Sequence, residues 1–247
     1  MIEKEFGVPF PGQILDPTQW VQTALKKFPE DGFLDFTAIF GRQAPIVIDL
    51  GCGNGRFLIQ SACSRPEFDH LGIDVLPVVI RYARKRGNQR GLRNLRFAVG
   101  GAYELLNRYI EAASVQEIHC YHPQPYYDPK DVSKRLITPQ FLTLVVRSLK
   151  LGGIFTIQTD HPGYWEYIKN IMPIFFDWKE LTGTWPDSPR GRTRREIIAR
   201  SKKLPIFRGI GTLLSIGNLD EISERASQLK PPLFNADRRL QELDRLA

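Results

Sequence analysis

Asp49 follows the apolar run Ile46-Val47-Ile48 and precedes Leu50 and the alternating-glycine stretch Gly51-Cys52-Gly53-Asn54-Gly55. Glycines at alternate positions let the backbone turn sharply and approach a ligand with no Cβ in the way. A helix beginning just after them offers unsatisfied N–H groups. The carboxylate of Asp49 repels phosphate there and suits the ammonium of an amino acid. Further on, Leu71-Gly72-Ile73-Asp74 ends the next apolar run with a second carboxylate, where it can accept both hydroxyls of a ribose. The chemistry predicted is recognition of a nucleoside that carries a cationic amino-acid group. A dinucleotide fingerprint fits less well, because Arg56-Phe57 stand where a third glycine at GxGxxG spacing would be.

These residues need a strand–turn–helix to hold them, and the chain supplies the pattern repeatedly. Short apolar runs at 46–50, 70–75, 95–99, 115–121 and 154–158 alternate with amphipathic stretches at 56–64, 77–87, 102–112, 138–149 and 163–172. That alternation predicts an α/β fold, a mostly parallel twisted sheet with helices on both faces, of Rossmann-like type. After Pro173 three apolar segments, 175–181, 196–200 and 205–210, are expected to finish the sheet as strands. The predicted organisation is a lead-in over 1–44 with one helix at about 18–27, a domain over 45–218 and a charged tail over 219–247, where Asn235 or Asp237 could cap a last helix. Trp20, Phe175, Phe176 and Trp178 are read as core residues.

The glycine turn with an acid before it and an acid ending the next strand resembles the class I S-adenosylmethionine-dependent methyltransferases, which implies that fold and that cofactor. Beyond it, ordered motifs resemble those of the tRNA (guanine-N7-)-methyltransferase family. His122-Pro123-Gln124-Pro125-Tyr126-Tyr127-Asp128-Pro129-Lys130, followed by Lys134-Arg135-Leu136-Ile137, is similar to the family's F-P-D-P-W and basic run. Leu149-Lys150-Leu151-Gly152-Gly153, then Thr159-Asp160, resembles its turn and T-D. Thr193-Arg194-Arg195-Glu196 resembles its T-[KR]-[FY]-E motif, with an arginine in the aromatic place. The resemblance implies methyl transfer to N7 of a guanine in tRNA. It implies Asp49, Gly51, Gly53, Asp74, Gly101 and Ala102 as the cofactor site, and Gln124 and Asp160 as catalytic positions. Lys130, Arg135, Asp160, Thr193, Arg194, Arg195 and Glu196 become the substrate set. Two departures stand out. Gln124 replaces the family's strand-four aspartate, and Gly100-Gly101-Ala102 replaces the aspartate that faces adenine.

Two other readings compete with this one. Gln124-Pro125-Tyr126-Tyr127 is similar to the [ND]-P-P-[YF] motif of methyltransferases acting on amino nitrogen, and Gln124 with Gly101 also suits an RNA-binding homologue that has lost turnover. His119 and His122 flank Cys120, but their odd spacing on a strand points them to opposite faces, so no metal is expected. The three cysteines form no CxxC pair, which excludes a zinc knuckle of that type and suits a reducing compartment.

Lys and Arg number 34 against 27 Asp and Glu, a formal net charge of +7. Residues 190–208 hold eight basic residues against Glu196 alone, and residues 81–96 hold seven with no acid. Two such runs predict a polyanion footprint, consistent with tRNA as partner. The chain lacks an apolar stretch of membrane-spanning length and starts without the layout of a signal peptide, so a cytoplasmic location is expected.

Overall fold

The structure, a computed structural model, describes residues 3–215 and 219–236; the cap suggested at Asp237 lies outside them. β1 (Ile46–Leu50), β2 (Asp69–Asp74), β3 (Leu95–Val99), β4 (Val115–Tyr121), β5 (Leu149–Thr159), β6 (Asp177–Leu181) and β7 (Phe207–Thr212) form one sheet of order β3-β2-β1-β4-β5-β7-β6. β1 to β5 pair in parallel. β7 runs antiparallel to both β5 and β6. The predicted mostly parallel α/β sheet is therefore observed.

Strand parity distributes the core. Ile46, Ile48 and Leu50 point to one face, where they join Ile118, Phe155 and the helices α3 (Pro139–Ser148) and α4 (Pro162–Phe175). Val47 points to the other, against Phe57, Leu58 and Ile59 of α1 (Arg56–Ser64), Ile80 and Ala83 of α2 (Pro77–Gln89), and Phe97. Asp49 shares Val47's parity, so its carboxylate stands at the head of α1. Gly72 is required where it is, since a Cβ there would lie 2.6 Å from the Phe97 ring.

Two local expectations are corrected and two are sharpened. Over 18–27 the chain makes only a 3-10 turn at Pro17–Gln19 and then runs extended, bridging Ala24 to Phe97. Thr23 O accepts from Phe97 N, and Leu25 N donates to Phe97 O. The open edge of β3 outweighs the helical spacing, and Trp20 is left 42% exposed. Residues 102–112 are helical as expected, but only over 102–109, where an α-helical turn at Ala102–Glu104 runs into a π-helical turn at Leu105–Tyr109. Segment 196–200 belongs to a helix, α5 (Arg194–Ser201), because the Thr193 hydroxyl caps it by accepting from Glu196 N at 3.1 Å. The tail carries α6 (Leu219–Gln228), which packs on α3. No helix among the described residues is long and apolar enough to cross a membrane.

Candidate active site

The strand order reverses at β1, with β2 on one side and β4 on the other. In open α/β sheets the crevice beyond the carboxyl ends at such a point is where ligands bind. A cavity lies there. Asp49, Gly51, Gly53 and Asp74 line one part of it, and Gln124, Asp160, Thr193, Arg194 and Arg195 line another.

The first part is built by the turn after β1. Gly51, Gly53 and Gly55 all have positive φ, 76°, 52° and 78°, which a residue with a Cβ resists. Gly51 and Cys52 donate their N–H groups to Ile73 O, both at 2.9 Å, which stitches the turn to β2. Asp74 accepts from Gly53 N at 3.0 Å and from Leu76 N at 2.9 Å. Asp49 is 2% exposed, and its Oδ1 has no hydrogen-bond partner among the described residues. Burial pushes the Asp49 carboxyl well above the usual range, and the adjacent charge of Asp74 pushes the same way. Burial also raises Asp74, against the hydrogen bonds it accepts from Leu76 and Gly53. A buried anion with an unfilled acceptor beside a second anion is a site that a cationic ligand relieves. Apart from its chain neighbours, no atom of the described residues lies within 4 Å of a Cβ built on Gly51 or Gly53, so a ligand can lie against that backbone. The residues thus fit a nucleoside with an ammonium group.

The second part is held by β4, β5 and α5. Asp160 follows β5 and is 4% exposed. Its Oδ1 lies 2.9 Å from His122 Nδ1, and its Oδ2 accepts from Arg195 Nε at 3.0 Å. Burial alone would raise Asp160, but the hydrogen bond from His122 and the charge of Arg195 outweigh it and hold the carboxyl at about 2. Gln124 is exposed at the cavity wall. Thr193 caps α5 while its residue lines the cavity, and Arg194 reaches Glu5 at 3.1 Å.

Several expected site residues stand elsewhere. Arg135 is buried, not on a surface that meets phosphate. Its guanidinium donates to the carbonyls of Pro125, Tyr126, Pro232 and Phe234 and lies 3.5 Å over the Phe234 ring, so it pins the 123–127 loop to the tail. Glu196 is fully buried. It accepts from Arg192 N, Arg200, Arg208 and Gln158 and organises α5 instead of facing the cavity. Lys130 is exposed on the turn Pro129–Lys134, and neither it nor Gly101 nor Ala102 lines this cavity. Gly101 opens the Ala102–Glu104 turn beyond β3, with Gly100 N donating to Asp74 O at 3.0 Å.

Most of the 190–208 run, and part of the 81–96 run, is used within the fold. Arg192, Arg194, Arg195, Arg200 and Arg208 each pair with a carboxylate. Arg86 and Arg90 pair with Glu3. Arg190, Lys202 and Lys203 of the first run and Arg81, Lys85 and Arg93 of the second remain exposed. His119 and His122 do not meet: His119 contacts Glu117 and Tyr121, and His122 contacts Asp160 and Gln158. Sequence reasoning missed His122, which lines the cavity, and Glu5, which braces the lining residues Asn54, Arg56 and Arg194. The TxxE spacing of Thr193 and Glu196, a helix-capping signature, was the available signal for α5; nothing local marked Glu5.

The sequence matches the family described as putative methyltransferase over residues 43–208. It is 36% identical over 165 residues to the tRNA (guanine-N(7)-)-methyltransferase of Nitrosococcus oceani, covering 67% of this chain and 70% of that protein. The Escherichia coli protein of the same name is 34% identical over 168 residues, covering 68% and 70%. Among solved structures, the 16S rRNA methyltransferase KamB shares the fold with a TM-score of 0.56 at 16% identity, over 73% of this chain and 94% of that one.

Proposed function

We propose, from the premise that the chain belongs to the tRNA (guanine-N(7)-)-methyltransferase family, that it methylates N7 of a guanine in tRNA with S-adenosylmethionine as donor. The observation that carries the reading is the cavity that joins the Asp49–Asp74 pair to Asp160.

When bound, S-adenosylmethionine supplies a methyl group activated by its sulfonium. Asp49 would accept the ammonium of its amino-acid part through the unfilled Oδ1, and Asp74 the ribose hydroxyls. Guanine N7 carries an in-plane lone pair and no proton, so the residues around it need to align the base and are not required to remove a proton. Asp160, ionised over the whole physiological range, has acceptor capacity left after His122 and Arg195 are served. It would receive the N1–H and N2–H₂ donors of guanine, and its charge favours the cationic ring that forms. Gln124 can offer one carbonyl acceptor at the cavity wall.

A tRNA transcript made with 7-deazaguanosine tests the reaction site, because it lacks the nucleophilic nitrogen. Ordinary transcript should take up labelled methyl and the deaza transcript none. Label in the deaza transcript would place the reaction on another atom.

A further inference from the structure

We propose that His122 is the positioning residue for Asp160, fixing the carboxylate through an Nδ1–H donor so that its remaining lone pairs serve the guanine edge. This rests on the assignment of Asp160 to guanine. His122 follows β4 with φ 54°, a left-handed conformation uncommon for a residue with a Cβ and one that persists only where surrounding contacts hold it. Contacts of that kind are present. Its backbone N–H donates to Gln158 O, its side chain is 6% exposed, and both ring nitrogens are engaged.

Hydrogen-bond capacity fixes which nitrogen carries the proton. Trp185 Nε1–H can only donate, and at 2.7 Å it faces Gln158 Oε1. The Gln158 amide nitrogen therefore points the other way, donating to Glu196 Oε2 at 3.2 Å and to His122 Nε2 at 2.9 Å. Nε2 must accept, so the proton lies on Nδ1, which donates to Asp160 Oδ1 at 2.9 Å. A chain of donors from the buried indole of Trp185 thus ends on the carboxylate that lines the cavity. On the other oxygen Arg195 is the second clamp. With His122 removed, Oδ1 loses this hydrogen bond, and the carboxylate can turn toward the arginine as a two-point pair, which suits Arg geometry. The guanine edge would then meet a misaligned acceptor.

Three variants separate positioning from a general effect on folding. Asn places an amide N–H₂ where Nδ1 stands and tolerates a positive φ, whereas Gln can reproduce Nε2 but not Nδ1. Measured with saturating S-adenosylmethionine, His122→Ala and His122→Gln should lower kcat for tRNA by about tenfold to a hundredfold, the scale of a misplaced electrostatic contact. The tRNA Kd should stay within about threefold, since most RNA affinity comes from phosphate contacts elsewhere. His122→Asn should recover kcat to near wild type. Thermal midpoints identify any variant that fails to fold, and the Asn–Gln contrast is then read between folded proteins. An active wild type with His122→Ala unimpaired, or His122→Asn no better than His122→Gln, overturns the proposal alone. Wild type inert toward tRNA overturns the guanine assignment together with it.

Discussion

Glu5 accepts a hydrogen bond from the side-chain amide of Asn54 at 2.6 Å across 49 residues of chain, which ties the N-terminal segment to the glycine turn. Glu5 is 5% exposed and also faces Arg56 at 3.6 Å and Arg194 at 3.1 Å. Removing one partner of a buried charge cluster leaves the others uncompensated. Glu5→Ala should therefore cost about 3 kcal/mol of stability and loosen the Asn54 turn. A denaturant titration with an unchanged midpoint would show that the cluster contributes nothing net.

Both acids of the cofactor half should serve binding, and Asp49 does so at the expense of stability. Asp49→Asn removes a buried carboxylate held near a like charge, so the ligand-free protein should gain stability while S-adenosylmethionine binds more weakly. Asp74→Ala should weaken binding by roughly 1.5–3 kcal/mol, the scale of forfeited charged hydrogen bonds. Thermal unfolding and calorimetry measure the two quantities separately. Unchanged affinity in both folded variants would remove these residues from the cofactor site.

The contribution of the buried histidines to stability should fall between pH 7 and pH 5, His70 foremost, while the raised carboxyl of Asp49 works in the opposite direction. Burial, aided by the charge of Arg65, pushes His70 down to about 3, and burial lowers His119 as well. In the unfolded chain an imidazole takes up its proton near pH 6.5. The unfolded state thus binds more protons below that value, so this contribution is complete above pH 7 and is lost as pH falls through 6.5. For His70 the loss by pH 5 is about 2 kcal/mol. His70→Gln should lose about that much less than wild type over the same interval; an identical pH dependence would contradict the assignment.

Of the basic segment, Arg190, Lys202 and Lys203 are the exposed positions to test against RNA, and Arg192 is excluded because it is paired with Asp187 and donates to Tyr121. Neutralising the three should flatten the dependence of log K on log salt by up to about 2–3 units, at somewhat under one unit for each phosphate no longer neutralised. A slope equal to wild type would make this an ordinary solvated surface.

Local chemistry is what the sequence reveals. The turn at Gly51–Gly55 and the acids at Asp49 and Asp74 are legible because φ, strand parity and charge act within a few residues of one another. The extended segment at 18–27 is hidden because its partner, the edge of β3, lies far along the chain. Arg135 and Glu196 look like surface charges in sequence for the same reason: the carbonyls and arginines that satisfy them come from loops and strands no local pattern connects. His122 is the clearest case, since its role depends on Gln158, Asp160 and, through Gln158, Trp185.

The most direct test of the central claim is nucleoside analysis of unmodified tRNA after incubation with purified protein and S-adenosylmethionine, wild type beside Asp160→Asn. The account predicts 7-methylguanosine from wild type and a rate lower by roughly a hundredfold from the variant, in which one carboxylate oxygen becomes a donor facing guanine donors. Methylated adenosine in place of 7-methylguanosine, or no product from wild type with tRNA and cofactor both shown to bind, would contradict it.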